Sequence, residues 1–157
     1  MIRSVTHRDT AAVVALTVAA ELFAPEESSV VETMLKEYFA GREAEGHTCV
    51  VDDADGDLLA VAYCEPVTAT DRTWELTMIG VRQDLHRQGR GAELLRHVED
   101  DLRARDQRLL VIETSALPAF ARARAFYLAR GYDEEARVRD YFEAGDDMVV
   151  FRKALQT

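Results

Sequence analysis

The stretch WELTMIGVRQDLHRQGRGAELLRH, residues 74–97, decides the fold of this chain. It opens with an apolar strand pattern, passes through a polar turn into a basic loop with two glycines, and ends in an amphipathic helix. This pattern predicts a strand that leads through a glycine loop directly into a helix N-terminus. The apolar positions are Leu76, Met78, Ile79 and Val81 in the strand and Leu94, Leu95, Val98 and Leu102 in the helix.

The loop at residues 87–91, RQGRG, is suited to binding an anion. Gly89 and Gly91 can adopt positive φ and let a ligand approach the backbone closely. The first N–H groups of the helix lack intrahelical acceptors, and the helix dipole places partial positive charge at the same end. We therefore expect a phosphate or pyrophosphate there, with Arg87 and Arg90 as charged donors. The spacing fits neither the GxGxxG dinucleotide fingerprint nor the Walker motif GxxxxGK(S/T).

Length and composition narrow the class of protein. The chain has 157 residues, 48% of them hydrophobic and 31% charged, which predicts a single soluble globular domain over residues 1–157. No apolar run approaches a membrane span and the N-terminus lacks signal-peptide features, so we expect a cytoplasmic protein with no membrane partner. The net charge of −10 argues against nucleic acid as a partner. It is compatible with a cationic acceptor such as an amine.

The cysteines and histidines give no sign of a metal site. Cys49 and Cys64 do not have zinc-site spacing, and two cysteines are too few for a disulfide scaffold, so both are expected to be buried, unreactive thiols. The four histidines show no HExxH or paired arrangement. We therefore predict that no metal is bound.

Periodicity and turn residues predict the element order β-α-α-β-β-β-α-β-α-β-β. The turn Asp55-Gly56 is typical of a hairpin. The strand at 108–114 is nearly continuously apolar, which indicates a buried, parallel strand after a crossover helix. The predicted helices cover residues 11–22, with Asp9 or Thr10 as N-cap, 29–39, 89–105 and 119–132, the last with Phe120, Ala123, Phe126 and Tyr127 inside and Gly131 as its stop; the predicted strands cover 2–6, two segments within 47–67, 74–81, 108–114, 136–142 and 148–153.

Two motifs in this order resemble the GNAT superfamily of N-acetyltransferases. The loop from His86 to Gly91, HRQGRG, is similar to the acetyl-CoA pyrophosphate motif (Q/R)-x-x-G-x-(G/A), with His86 in place of the usual Gln or Arg. The segment from Ala123 to Tyr132, ARAFYLARGY, resembles the family ending A-x-x-F-Y-x-x-x-G-(F/Y). The resemblance implies an α/β GNAT acyl-CoA N-acyltransferase fold, with a mixed six- to seven-stranded sheet flanked by four helices.

The resemblance also implies a cofactor and the residues that bind it. In this family the central strand and the next strand splay apart, and the pantetheine arm of acetyl-CoA inserts between them. The implied contacts are the backbone of Ile79 and Val81 with that arm, the amides of Arg87, Gln88, Gly89, Arg90, Gly91 and Ala92 with the pyrophosphate, and Ser115 or Thr114 where the family often has a cofactor-contacting Asn.

Direct transfer to an amine calls for a base and an acid, because the amine must be neutral and the departing thiolate needs a proton. Glu75 is the first candidate base: it shares strand parity with Ile79 and Val81 and stands where several family members have a glutamate. An exposed glutamate in a cross-strand pair would explain it equally well. Glu113, a charge within an apolar strand, and a water chain are the alternatives. Tyr127 matches the family tyrosine that protonates the thiolate, although a core tyrosine would look the same.

These features together predict an acetyl-CoA-dependent N-acetyltransferase that acts on a primary amine. The alternative is a non-catalytic GNAT-fold domain that binds acyl-CoA as a sensor or interaction module. Residues 140–142 and 146–147 (DYF and DD) could line an amine pocket, but they could equally be turn and strand residues. The sequence leaves open the acceptor, the length of the acyl chain and the formation of a homodimer, which is frequent in the family.

Overall fold

The computed structural model describes residues 1–156 of the chain. Within them, seven strands form one mixed sheet in the order β1-β2-β3-β4-β5-β7-β6, accompanied by four α-helices. The predicted element order and fold class are confirmed. The elements are β1 (Ile2–Ser4), α1 (Thr10–Ala19), α2 (Ser28–Glu37), β2 (Thr48–Ala54), β3 (Asp57–Pro66), β4 (Thr73–Val81), α3 (Arg90–Ala104), β5 (Leu109–Ser115), α4 (Ala121–Ala129), β6 (Asp133–Glu143) and β7 (Asp146–Ala154).

The chain divides into two compact units, the first of which contains Met1–Pro66 and Thr77–Asp100. Here β1, β2 and β3 form an antiparallel ladder. The turn between β2 and β3 has positive φ at both Asp55 (55°) and Gly56 (94°), as a tight hairpin of the predicted kind requires. Helices α1 and α2 pack apolar side chains into the core of this unit, which includes Val13, Leu16, Val31, Leu35, Tyr38, Cys49, Val51, Val61, Tyr63 and Met78.

The start of α1 differs from the prediction. Asp9 makes no side-chain cap to α1. Instead, its carboxylate accepts hydrogen bonds from the backbone N–H of Thr6 (2.7 Å) and from Nη1 and Nη2 of Arg3 (2.8 and 2.9 Å). A 3-10 turn at His7–Asp9 therefore precedes α1, and Asp9 belongs to the capping box of that turn.

The second unit contains Val67–Leu76 and the chain from Asp101 onward. The start of β4 pairs in parallel with β5, joining Thr73, Trp74 and Glu75 to Leu109, Leu110 and Val111. Strand β7 pairs antiparallel with β5 along its length, and β6 pairs with β7 as the predicted terminal hairpin. Gly131, with φ of 91°, directly follows α4 and its C-cap, in agreement with its predicted role as helix stop.

Two predicted burial patterns in this unit are wrong. Strand β5 was expected to be a buried strand, but its residues alternate: Leu110 and Ile112 are buried, whereas Glu113 is exposed. Phe120 was expected inside its helix, but it is 45% exposed, because a 3-10 turn at Pro118–Phe120 separates it from the helical spacing of α4. Strand β6 is exposed at every residue.

Helix α3 begins in the first unit and ends in the second. Its four predicted apolar positions, Leu94, Leu95, Val98 and Leu102, are all buried. Cys49 and Cys64 are both buried, as expected, and neither forms a disulfide. None of the helices in residues 1–156 has the length and apolar character needed to cross a membrane.

Candidate active site

The loop between β4 and α3 has the expected positive φ at one of its two glycines; Gly91, for which the same was expected, lies inside α3 and does not have it. Gly89 has φ of 77°, and Arg87 also lies in the left-handed region, at 67°. The Nε2 atom of His86 lies 2.9 Å from the carbonyl oxygen of Val81. Because a carbonyl oxygen can only accept, this nitrogen carries the proton. His86, the departure from the family motif, thus ties the loop to the end of β4.

The open side of this loop fits a diphosphate group. The first bond of α3 runs from the N–H of Glu93 to the carbonyl of Gly89 (3.0 Å), so the N–H groups of Arg90, Gly91 and Ala92 have no acceptor within the helix. A Cβ atom built on Gly89 would have no atom within 4 Å, so there is free space beside the backbone at that point. Free amides, a helix N-terminus and free space together are what an anion requires.

The two arginines of the loop have different surroundings. Arg87 is exposed, and its side chain makes no hydrogen bond or ion pair with any other residue in 1–156. Arg90, in contrast, points to the first unit's sheet, where its Nη1 atom lies 2.9 Å from Oδ2 of Asp52 on β2. Arg87 is thus available to an anion, whereas the Arg90 side chain already has a carboxylate partner.

Strand β4 has a buried face and a less buried face, and the candidate site residues of this strand lie on the less buried one. Trp74, Leu76, Met78 and Gly80 are buried, and the residues between them are half-buried or exposed. Glu75, Ile79 and Val81 belong to this second set, which agrees with the parity expected for them. The parallel ladder with β5 ends at Glu75.

The two candidate bases are not equivalent in burial. Glu75 is half-buried on β4, whereas Glu113 is exposed on β5. The argument for Glu113 was that a charge inside a buried strand must be paired or functional, and its exposure removes that argument. Glu75 is therefore the better placed carboxylate of the two for a base in partly apolar surroundings.

Tyr127 on α4 is the most unusual titratable group in the second unit. It is 6% exposed, and its ring packs against Phe126, Tyr132 and Phe151 with centroid distances of 5.5, 6.1 and 5.5 Å. Burial raises the pKa of Tyr127 to about 12. Within residues 1–156 its hydroxyl has no hydrogen-bond partner, and the oxygen itself is not fully enclosed, since the Nε of Arg90 is the one buried side-chain atom there without a partner. Tyr127 is thus a neutral phenol with a proton available for donation.

Ser115, at the end of β5, is buried and its hydroxyl is already engaged. The hydroxyl donates to the carboxylate of Asp146 and accepts from the N–H of Leu117 (3.1 Å). The Ser115 carbonyl accepts from Arg124 Nη1 (2.7 Å). These bonds hold the loop between β5 and α4, so any contact of Ser115 with a cofactor would compete with them.

The aspartates proposed for an amine pocket are bonded within the terminal hairpin. Asp147 accepts from Arg137 Nε (2.7 Å) and from the N–H of Asp140 (2.9 Å). The carboxylate of Asp140 accepts from the N–H of Gly145 (2.8 Å). Tyr141 and Phe142 are about half exposed, at 53% and 50%. These contacts favour the interpretation as turn and strand residues.

The sequence analysis missed a polar cluster in the first unit. Nδ1 of His47 lies 2.7 Å from the hydroxyl of Tyr63 and 3.4 Å from Oε2 of Glu65. Tyr63 is buried, which raises its pKa above the ordinary value. The signal that could have found this cluster is the hairpin register, in which Cys49 pairs with Tyr63. No group of three or more His, Cys, Asp or Glu side chains within residues 1–156 is arranged to hold a metal ion.

Comparison with known proteins gives a consistent family. Residues 16–132 match the model of the acetyltransferase (GNAT) family. No curated protein matches the chain. Among solved structures, a GNAT-family protein from Desulfovibrio desulfuricans is 30% identical, with a TM-score of 0.93 and coverage of 99% of both chains.

Of two further similar structures, one is that of a named N-acetyltransferase and the other was solved with acetyl-CoA bound. The ribosomal-protein-S18-alanine N-acetyltransferase from Escherichia coli is 25% identical, with a TM-score of 0.79 and coverage of 100% of this chain and 94% of the other. The yncA protein from Salmonella typhimurium, solved with acetyl-CoA, shares the fold at 19% identity, with a TM-score of 0.80 and coverage of 99% and 94%.

Proposed function

We propose that this chain, which belongs to the acetyltransferase (GNAT) family, transfers an acetyl group from acetyl-CoA directly to a primary amine. The whole chain, residues 1–157, would act as one catalytic domain. The observation that carries the proposal is Tyr127, a buried, neutral phenol without a hydrogen-bond partner in residues 1–156. Two buried cysteines that form no disulfide agree with a reducing, cytoplasmic setting.

In this proposal the β4–α3 loop binds the cofactor. The N–H groups of Arg90, Gly91 and Ala92 would donate to the diphosphate, with Arg87 as a charged donor and Gln88 and Gly89 completing the loop. Backbone groups of Ile79 and Val81 would align the pantetheine arm. When bound, acetyl-CoA supplies the acetyl group as a reactive thioester.

Tyr127 and Glu75 would handle the two protons of the reaction. Glu75, directly or through water, would accept a proton from the acceptor ammonium, because only the neutral amine has a lone pair that can form the new C–N bond. Tyr127 would hold its proton at Oη for the sulfur as the C–S bond breaks. Glu113 remains the alternative base, in the water-exposed position described above.

The proposal is tested first by calorimetric titration with acetyl-CoA, with dephospho-CoA and NAD for comparison. Saturable binding of acetyl-CoA but not of NAD is expected. Turnover is then measured as thiol release with a panel of primary amines that contains polyamines, amino acids, lysine peptides and alanine-terminated peptides. The last are included because the similar enzyme from Escherichia coli acts on a ribosomal-protein alanine.

Tyr127→Phe should lower kcat by about 100-fold, as loss of a general acid does, while the Kd for acetyl-CoA stays nearly unchanged. The matched control is Tyr141→Phe, which removes the hydroxyl of a tyrosine that is 53% exposed. Equal kcat in Tyr127→Phe and wild type would remove Tyr127 from the mechanism.

A non-catalytic acyl-CoA-binding module is the second candidate function. The observation in its favour is Ser115, whose hydroxyl, in a place where the family often has Asn, is bonded to Asp146 and Leu117. Binding of acetyl-CoA without thiol release on any amine of the panel would support this candidate over the enzyme. Analytical ultracentrifugation of the same preparations would show whether the protein is a monomer or a homodimer.

A further inference from the structure

An ion pair between a buried aspartate and a partly exposed arginine connects the sheet of the first unit to the start of α3. Asp52 lies on β2 at the position where the ladder with β3 shifts its register. Its side chain is 7% exposed, and its Oδ2 atom lies 2.9 Å from Nη1 of Arg90. The other oxygen, Oδ1, lies 3.3 Å from the amino group of Met1. Arg90 is the first residue of α3 and stands between the two glycines of the loop.

Stability alone does not account for this pair. The carboxylate of Asp52 loses most of its hydration, whereas the Arg90 side chain is 32% exposed, so the attraction between the two charges must first offset the desolvation of Asp52. The pairing of Arg90 is also incomplete: its Nε atom is buried and has no hydrogen-bond partner in residues 1–156. A buried donor left without an acceptor is unfavourable, because it has lost its hydrogen bonds to water. What the pair does provide is a fixed position for Arg90.

That position matters because of the residues on either side. Gly89 and Gly91 have no Cβ, so the backbone at both points has more conformations available than at residues that carry a side chain. The side chain of Arg90 is the one between them that is fixed to the sheet. The pair therefore restricts the direction of the N–H groups at residues 90–92, which the proposed function assigns to the diphosphate.

We propose that Asp52 is a positioning residue of the pyrophosphate loop, which it orders through Arg90. This inference rests on the proposed function, since it assumes that the loop binds the diphosphate of acetyl-CoA. In this arrangement the backbone N–H of Arg90 would donate to the diphosphate. The guanidinium of Arg90 pairs with Asp52 and holds the loop in position. Arg87 is left as the charged side chain of the loop that faces solvent.

The test compares two ligands by calorimetry: acetyl-CoA, which has the diphosphate, and S-acetylpantetheine, which lacks it. In Asp52→Asn the Kd for acetyl-CoA should rise about tenfold, because a binding group that is no longer preorganised must be ordered on binding. The Kd for S-acetylpantetheine should not change. A general loss of structure would instead weaken both ligands.

Asp53→Asn is the matched control. Asp53 is the neighbouring carboxylate, but it pairs with Arg3 (2.9 Å) and not with Arg90. This variant is expected to keep the wild-type ratio of the two Kd values. If Asp52→Asn does not fold, the double variant Asp52→Asn/Arg90→Met, which leaves no unpaired buried charge, should show the same tenfold change.

The outcomes separate the inference from the function on which it rests. Failure of the wild-type protein to bind acetyl-CoA would overturn the proposed function and the inference with it. Wild-type binding of acetyl-CoA, combined with an unchanged Kd ratio in the folded variant, would overturn the inference and leave the function standing. A selective loss of acetyl-CoA affinity in Asp52→Asn, absent in Asp53→Asn, supports both.

Discussion

Burial raises the pKa of Tyr127 to about 12, because a phenolate among Phe126, Tyr132 and Phe151 would lose its hydration. The neutral form is therefore the one that folding favours. Since the pKa in the folded state lies above the ordinary value of 10.0, the contribution to stability is complete below pH 10 and is lost as the pH rises through 12.

This shift predicts the alkaline titration of the phenol. In the ultraviolet difference spectrum between wild type and Tyr127→Phe, the phenolate band should be absent at pH 10 and develop towards pH 12. The difference removes the signal of Tyr38, whose pKa is raised to a similar value by burial. A phenolate band that is half developed at pH 10 would contradict the assigned burial and weaken the role of Tyr127 as a proton donor.

The ion pair of Arg3 and Asp9 has the opposite dependence on pH. Hydrogen bonds from Arg3 hold the pKa of Asp9 well below its ordinary value of 3.8. The pair therefore stabilises the fold above pH 3.8, and this contribution is lost as the pH falls towards the lowered pKa.

Asp9→Asn should lower the free energy of unfolding at pH 7 by about 2 kcal/mol, since it leaves the partly buried Arg3 with one carboxylate fewer. The difference from wild type should shrink as the pH is lowered below 3.8. Denaturant titrations at several pH values measure both effects. A difference that stays constant with pH would show that the charge of Asp9 is not what stabilises this turn.

At the scale of elements, the sequence predicts order and type better than register. Eleven helices and strands follow from periodicity and turn residues, because these signals are local. The bulge between Asp52 and Asp53 shifts the pairing of β2 with β3 by one residue. Counting back from the Asp55-Gly56 turn without this bulge would pair Cys49 with Ala62 instead of Tyr63, so the register that brings His47 to Tyr63 does not follow from the turn alone.

In the candidate site, too, local features were predictable from the sequence and long-range contacts were not. The positive φ of Gly89 was predictable from its residue type, whereas Gly91 adopts the helical backbone of α3 instead. The destination of the Arg90 side chain was not, since its partner Asp52 lies 38 residues away. The 3-10 turns before α1 and α4 were also missed, because side-chain bonds and proline rather than apolar spacing determine them.

Gly80 on β4 sets how closely the segment after α1 can approach the strand. A Cβ atom built on Gly80 would overlap the side chain of Leu22 and lie 3.1 Å from Cβ of Ala20. Gly80→Ala should therefore destabilise the fold by about 1–3 kcal/mol, the usual cost of overpacking. Denaturant unfolding measures this change.

Leu22→Ala provides the test of the mechanism, since it removes the atoms that the new methyl group would overlap. The double variant Gly80→Ala/Leu22→Ala should lose less stability than the sum of the single changes. Strict additivity would show that the two sites do not share this contact. Gly56→Ala is the comparison at an open glycine, where positive φ and not space would be the cause of any loss.

At the scale of the whole molecule, the charge of −10 should favour cationic acceptors over long distances. Among the amines that the enzyme acetylates, a polycation such as spermidine should lose severalfold in kcat/KM when the ionic strength rises from about 0.01 to 0.15 M, where the Debye length shrinks from roughly 30 to 8 Å. A monoamine should lose little. Equal losses for both amines would indicate that the acidic surface serves solubility alone.

The placement of the two cysteines affects how the proposed acetyl transfer can be assayed. In the β2–β3 ladder Cys49 pairs with Tyr63 and Cys64 pairs with Thr48, so the two side chains lie on opposite faces of the sheet and cannot form a disulfide with each other. Both are buried, and burial raises the pKa of Cys49 to about 12, which leaves almost no reactive thiolate. A colorimetric thiol reagent present from the start of the reaction would therefore react with the coenzyme A that is released and not with the protein. Thiol release can thus be followed continuously for every variant that keeps this sheet intact.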